Sequence, residues 1–525
     1  VMPQVIALHN ANISKELVDV SGISEQEIES LLIAVESSGE VVYNNDVLNT
    51  VFGDAENKKQ LLIDNTGWMF TESRTYNDIE SFKNDLTNKT SEINGKIGQG
   101  YHIKSDGGSL RDLNKLLINS GAKSSPMLWY FLTFGLVMIG SIAYNLPNIK
   151  LLGVAGIKHN GIYHDNITNR GWLAWIVLFY LVLFYVLLYF WPQYLANNII
   201  LVDPVSKFLS GNPAGHWFLY GFIYCVAMTL MAVRMFIKYR HNNYQLVRTA
   251  VVLFFQIIFA FLVPEILVRF DQPWYDFKNA WPLDYDFFFQ YNITDLIDNG
   301  GLGIFMFVWG LALSFIIIPV MVYFFGKRWY CSWVCGCGGL AETLGDPYRQ
   351  HSDKSLKAWK FERYIVHGVL VFAIIMTLVT LYAFISGNNT VLGIDSYTVQ
   401  KTYGFLIGSI FSGVIGTGFY PIFGNRTWCR FGCPLAAYMG LVQRLKSAKF
   451  RITTNGGQCI SCGNCSTYCE QGIDVRSYAQ KGEDIIRASC VGCGVCSAVC
   501  PRGVLKLENS DAPKKVADNP IIFEN

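Results

Sequence analysis

Between about residue 127 and residue 424 the chain carries seven long apolar runs. Each is near the roughly 20 residues that a helix needs to cross a bilayer core of about 30 Å. Their approximate limits are Met127 to Asn145, Trp172 to Trp191, Trp217 to Phe236, Ala250 to Val268, Leu302 to Phe325, Tyr364 to Ile385 and Gly404 to Phe423. Inside hydrocarbon every backbone polar group must be satisfied by the protein itself, so such runs specify membrane helices and exclude an ordinary soluble fold. Composition agrees, with 51% hydrophobic residues and only 16% charged, against roughly 25% charged in soluble domains. The net charge of +2 leaves no global basic field, so nucleic acid is not an expected partner.

Orientation follows from Lys and Arg in the short loops. Lys238, Arg240 and Arg248 follow the third run, and Lys327, Arg328, Arg349, Lys354, Lys357, Lys360 and Arg363 follow the fifth. Arg426, Arg430, Arg444, Lys446, Lys449 and Arg451 follow the seventh. These sides are expected to be cytoplasmic. The loop after the fourth run is acidic (Asp271, Asp276, Asp284, Asp286, Asp295 and Asp298 against Arg269 and Lys278), and the one after the sixth carries only Lys401; both are expected outside. With an odd number of spans, a cytoplasmic C-terminus places residues 1–126 outside, in the periplasm of a bacterial inner-membrane protein.

Residues 1–126 are polar, free of cysteine and read as a soluble domain of unassigned fold. Ser24 and Glu27 have capping-box spacing, and Ile28, Leu31, Leu32, Ala34 and Val35 follow at helical period. Val1 is not a start methionine, so the domain is expected to be incomplete, and no signal peptide is recognisable. A transmembrane domain over 127–445 and a ferredoxin-like domain with its tail over 446–525 complete the expected organisation.

Thirteen of the fourteen cysteines lie between Cys331 and Cys500, with Cys225 alone. Cys459, Cys462, Cys465 and Cys469 form C-x2-C-x2-C-x3-C, and Cys490, Cys493, Cys496 and Cys500, followed by Pro501, repeat it. Three thiolates at this spacing can cup one face of an iron–sulfur cube while the fourth reaches another cluster. Zinc ligation or a disulfide knot are the alternatives, the latter disfavoured in the cytoplasm. The run resembles the bacterial two-cluster ferredoxin. That resemblance implies one [4Fe–4S] cluster on Cys459, Cys462, Cys465 and Cys500, and a second on Cys490, Cys493, Cys496 and Cys469. Gly463, Gly492 and Gly494 would let backbone N–H groups approach the sulfurs. Glu470 stands where the second motif has Pro501.

A second repeat follows the fifth and seventh runs. Gly326 to Gly336 aligns without gaps on Gly424 to Pro434, each copy reading G-x-R-x-aromatic-C-x3-C. Were these segments helical, Cys331 and Cys335, and likewise Cys429 and Cys433, would share a face, and two such helices could gather four thiols. Three readings stay open: a third metal centre of mononuclear iron or a small cluster, a dithiol–disulfide pair, or packing thiols. Cys337 extends the first copy to C-x3-C-x-C and is a weaker candidate ligand.

Over about residues 300–505 the combination resembles membrane polyferredoxins of the NosR/NapH type, with a related architecture in CcoG-type ferredoxins. The resemblance implies an electron-transfer subunit within a larger redox complex, supplying nitrous-oxide or periplasmic nitrate reductase in the first type and handling copper in the second. Two departures stand out. Gly336 replaces the family's proline, and no S-G-A-T-like flavin attachment sequence occurs in residues 1–126, so neither flavin nor the nitrous-oxide assignment is supported.

Weaker signals have blander readings. Glu265, after Pro264, suits a proton-linked role or an interfacial helix end. His367 lacks a second haem ligand and reads as a core or interfacial histidine. Cys225 reads as a buried small side chain, and Trp172, Trp191, Trp217 and Trp329 as an interfacial belt. The basic cluster from Arg444 to Arg451 satisfies the positive-inside pattern or docks an acidic electron carrier. No P-loop, dinucleotide fingerprint or nucleophile elbow occurs in a convincing context. The chain therefore reads as a relay rather than a self-contained enzyme, exchanging electrons with other redox subunits, quinone or an extracytoplasmic acceptor. A metal-reducing assembly factor and a redox-sensing module are the alternatives.

Overall fold

The computed structural model describes residues 25–36, 43–53, 62, 79–99, 111, 114, 115, 118, 120–151, 169–387, 390, 391, 393–445 and 449–509. It divides into two compact units, Val1–Leu113 and Asn114–Asn525.

In the first unit, α1 (Glu25–Glu36) buries Leu31 and Val35, the centre of the expected apolar stripe. They pack with Leu48 and Phe52 of α2 (Asn45–Phe52) and Phe82 and Leu86 of α3 (Ile79–Gln99). Ser24, half of the expected capping box, lies outside the described residues. The start of α2 is fixed by Asn44, whose Oδ1 accepts from Asp46 N and Val47 N, both at 3.1 Å.

The second unit is mainly helical: α4 (Pro126–Leu151), α5 (Trp172–Phe190), α6 (Ala196–Leu209), α7 (His216–Lys238), α8 (Asn243–Arg269), α9 (Gln290–Asp298), α10 (Gly300–Phe325), α11 (Gly336–Glu342), α12 (Leu356–Ser386), α13 (Ser396–Tyr403) and α14 (Pro434–Gln443). Among the described residues six helices are long and apolar enough to cross a membrane, namely α4, α5, α7, α8, α10 and α12. The seventh apolar run is built differently. From α13 the chain continues as a π-helix over Gly404–Ile415, then turns at 416–419 before the short helix Tyr420–Phe423. Glycines at 404, 408, 413, 416 and 418 weaken the helix while admitting close neighbours such as Tyr189 and Tyr285.

The acidic segment after α8 is not a free surface loop. Trp281 N donates to Ser314 Oγ in the middle of α10 (3.0 Å), and Trp281 Nε1 to Thr377 Oγ1 of α12 (2.9 Å). Irregular backbone at such depth is tolerated where protein buries it.

A small hairpin, β1 (Thr390–Val391) with β2 (Ile394–Asp395), precedes α13. In the C-terminal part, β3 (Phe450–Thr454) pairs antiparallel with β4 (Leu505–Asn509), in register from Phe450↔Asn509 to Thr454↔Leu505, and Ile485 bridges to Ile452. Between the strands lie the short helices α15 (Asn464–Thr467), α16 (Val475–Lys481) and α17 (Val495–Ala498), with the cysteine loops before α15 and α17. Gly463, Gly492 and Gly494 all take positive φ, of 80°, 60° and 73°.

Candidate metal centres

The C-terminal thiols fall into two sets. Cys459, Cys462, Cys465 and Cys500 line one cavity; Cys469, Cys490, Cys493 and Cys496 line another, walled by Ile452, Ile473, Val475, Ile485 and Val491. Gly492 N–H donates to the Cys490 sulfur, and Ile473 and Gln471 N–H to Cys469. Burial pushes the Cys490 thiol up to about 11 and Cys465 to about 12, so deprotonation needs a metal to replace the proton. Among the described residues no three His, Cys, Asp or Glu side chains converge tightly enough to hold a single ion. Four thiols spread around an apolar cavity suit a polynuclear cluster, whose ligands sit at the corners of a cube, better than one zinc.

The membrane-edge repeat forms a third gathering. Cys331, Cys335, Cys337, Cys429 and Cys433 line one cavity with Tyr330, Leu283 and Arg426. The expectation that the cysteines share a continuous helical face is corrected: the helix breaks between them. Arg328–Cys331 and Trp428–Gly432 are single turns, and Cys335 and Cys433 sit extended at the N-caps of α11 and α14. The two copies match bond for bond. Cys335 N donates to Tyr330 O (2.8 Å) and Cys433 N to Trp428 O (2.9 Å); each sulfur accepts an N–H three residues on, from Gly338 and Ala436. A sulfur at a helix N-terminus is held where negative charge is favoured. Burial pushes Cys331 up to about 12, whereas the hydrogen bond from Cys337, against burial, brings Cys335 down to about 6. Gly326 and Gly424 open both copies at φ 69° and 93°, where a Cβ would meet Phe450 and Ser352 respectively.

Gly336, the departure from proline, lies where a Cβ would come within 2.9 Å of Gln256 Oε1. Its carbonyl accepts from Tyr224 OH at 2.8 Å, and Gln256 Nε2 donates to Val334 O at 2.5 Å. Gln256 belongs to a π-helical stretch of α8 (Phe255–Leu262), a deformation frequent at functional sites. Nothing in the periodicity of an apolar run marks this buried glutamine.

The Cys490 loop is tied to the Cys331 motif and to the start of α8. Ser332 Oγ donates to Val491 O (2.9 Å), Tyr244 OH to Gly492 O (3.1 Å), and Gln245 Nε2 and Arg248 Nη1 to Cys493 O (2.8 and 3.1 Å). Beside this contact lies a buried charge network. Arg426 pairs with Glu342 (2.5 Å) and Glu470 (3.0 Å); Arg349 with Glu470 (2.6 Å) and Asp346 (2.7 Å); Lys238 and Arg234 with Asp346 (2.7 and 3.1 Å); and Arg248 with Glu342. Arg426 Nη1 also points at Cys429 Sγ, 3.7 Å away. Lys238, Arg248, Arg349 and Arg426, read from sequence as topology markers, thus brace an interior; a buried charge requires a partner, and only the fold supplies it. The matching arginine of the first copy, Arg328, instead covers the Phe450 ring at 4.6 Å.

Burial raises the Asp346 carboxyl, but Lys238, Arg349 and Arg234 outweigh it and hold it below the usual carboxylate range. A carboxyl depressed on folding stabilises above its unfolded pKa, about 4, and loses that contribution as pH falls through the folded value. Asp346→Asn is therefore expected to cost about 3–5 kcal/mol at neutral pH. Thermal midpoints measured against pH should show the wild-type advantage shrinking below about pH 4.

Of the remaining candidates, Glu265 and Cys225 line none of the thiol cavities, whereas His367 lines a further cavity together with Cys429. Glu265 accepts from Trp274 Nε1 at 3.3 Å, Cys225 is buried in an apolar cluster, and His367 is half-buried near the start of α12. Trp172, Trp191 and Trp217 are exposed as a belt would be, but Trp329 packs against the membrane-edge thiol cluster.

Comparison with known proteins matches these regions. A family model described as a 4Fe-4S binding domain fits residues 306–355 and again 404–453, and one described as a 4Fe-4S dicluster domain fits 451–501. The two copies of the first start 98 residues apart (404 − 306), the offset between Cys331 and Cys429. "Putative electron transport protein YccM" of Escherichia coli is 26% identical over 188 residues, 32% of this chain and 48% of that one. An uncharacterized protein of Methanocaldococcus jannaschii is 24% identical over 160 residues, 30% of this chain and 58% of that one. The chain thus spans about half the length of the curated relatives it matches. No solved structure matches. These similarities support an iron–sulfur electron-transport role.

Proposed function

We propose that the protein is a multi-pass electron-transfer subunit of the NosR/NapH type in a bacterial inner membrane, with three iron–sulfur centres. Cys459, Cys462, Cys465 and Cys500 would hold one [4Fe–4S] cluster, and Cys469, Cys490, Cys493 and Cys496 a second. Cys331, Cys335, Cys429 and Cys433 would hold a third at the membrane edge. Such clusters, when bound, supply one-electron exchange at potentials set by hydrogen bonds, charge and burial. The chain's own part is to fix thiol spacing, direct N–H groups at the sulfurs and exclude water. The observation that carries this reading is the contact of the Cys490 loop with the Cys331 motif through Ser332 and with the start of α8 through Tyr244, Gln245 and Arg248.

The loop charges favour a cytoplasmic ferredoxin part, and with the run over Gly404 to Phe423 as a seventh span, residues 1–126 would be periplasmic. Quinone or an extracytoplasmic protein would then exchange electrons at the membrane, within a larger redox complex. A second reading, metal reduction of the CcoG kind, is favoured by one observation, the fifth thiol Cys337 beside Cys335 in the same cavity.

Iron and acid-labile sulfide per chain, with low-temperature EPR on anaerobically purified protein, test the proposal. About twelve of each with a third signal is the expected result. About eight, with the signals of two clusters only, would leave the membrane-edge thiols without a cluster.

A further inference from the structure

A cavity of about 270 Å³ lies beside the thiols rather than among them. It is enclosed by the start of α12, the length of α14 and residues 486–489 of the ferredoxin part, and Cys429 touches its floor. Its origin is steric. α14 turns Ala436, Ala437 and Gly440 toward α12, and side chains this small leave the gap between the helices unfilled.

The lining is strongly cationic: Lys327, Arg363, Arg430, Arg444 and Arg487 against the single carboxylate of Glu362. Arg363 and Arg444 are exposed at the mouth, Arg487 is half-buried, and Lys327 and Arg430 form the floor. Arg430 is paired with Glu362 at 3.0 Å. Lys327 is different. It is 3% exposed, and its ammonium donates to Ala436 O at 3.2 Å. Among the described residues no carboxylate lies within 4 Å of it, whereas buried Lys238, Arg248, Arg349 and Arg426 all have one. The Lys327 charge favours the thiolates of Cys331 and Cys490, but no carboxylate neutralises it directly, and an anion in the cleft would add a counter-charge. The Trp359 ring holds the guanidinium groups of Arg487 (4.4 Å) and Arg363 (5.4 Å) by cation–π contact.

We infer that this cleft binds a phosphate-bearing anion, and that its occupant is the head group of an anionic phospholipid. The cleft opens at the end of an apolar helix long enough to span a bilayer, where basic pockets between membrane helices meet acidic head groups. Arginine forks suit phosphate oxygens, and Lys327 adds a point charge at the floor. A neutral quinone ring would leave the cations uncompensated.

The test uses the full chain, purified anaerobically in detergent, with native mass spectrometry and thermal midpoints as readouts. The probes are phosphatidylglycerol, phosphatidylcholine and inorganic phosphate. Phosphatidylglycerol is expected to be retained at least tenfold better than phosphatidylcholine and to raise the midpoint. Arg444→Gln with Arg487→Gln is expected to abolish that preference while leaving iron per chain unchanged, which shows the variant folded and keeps the outcome separate from the iron–sulfur reading. Stabilisation by millimolar inorganic phosphate, lost in the same variant, would retain the site and overturn the lipid as occupant. Equal retention of both lipids with no effect of phosphate, or a preference unchanged in the variant, would overturn the site itself.

Discussion

Glutamine in place of Glu470 is expected to destabilise the protein by about 3–5 kcal/mol, the cost of breaking a buried ion pair from one side. Glu470 is fully buried, 2.6 Å from Arg349 and 3.0 Å from Arg426. Burial alone would raise its carboxyl, yet Arg349 and Arg426 bring it down to about 2. The amide keeps the shape but cannot answer two guanidinium charges. Pro501, which follows the equivalent cysteine of the other half, is exposed. Pro501→Glu is accordingly expected to stay within about 0.5 kcal/mol of wild type, as exposed substitutions usually do. The comparison is a thermal-unfolding experiment on the three proteins under anaerobic conditions. A Glu470→Gln variant as stable as wild type would show that this pair does not brace the contact between ferredoxin and membrane edge.

The larger functional effect is expected at the membrane-edge thiols. Cys429→Ser with Cys433→Ser removes two of the four thiols that the repeat places at matching positions, and should eliminate the third EPR signal with about four irons per chain. Cys337 occupies the register of Leu435 in the second copy, two residues beyond Cys335 and Cys433 respectively. Cys337→Leu should therefore retain iron, the leucine restoring the symmetry of the repeat. Iron unchanged in the double variant would sink the third cluster. Iron retained in Cys337→Leu with loss of a metal-reducing activity would instead favour the copper reading.

Local patterns were legible where chemistry is local. Each C-x2-C-x2-C loop closes on itself, so its spacing states which thiols gather, and the exchange of Cys469 and Cys500 between sets follows the ferredoxin resemblance. The alignment of Gly326–Gly336 on Gly424–Pro434 likewise anticipated two copies of one backbone geometry. Helical periodicity misled in the same motif, because the caps at Cys335 and Cys433 break what C-x3-C spacing would allow to continue.

By itself the sequence determined that apolar helices carry a cysteine-rich end and which cysteines line a common cavity, since apolar length and cysteine spacing are properties of the chain read along its own axis. Only the tertiary structure decided what lies between those parts. Arg248, Arg349 and Arg426 looked like solvent-facing loop charges until Glu342, Asp346 and Glu470 were brought against them from up to 121 residues away. Gln256 was one polar residue in an apolar run until a π-helical turn aimed it at Val334. A buried charge or amide is tolerable only when a distant partner satisfies it, and that partner is named by the fold and not by the local sequence.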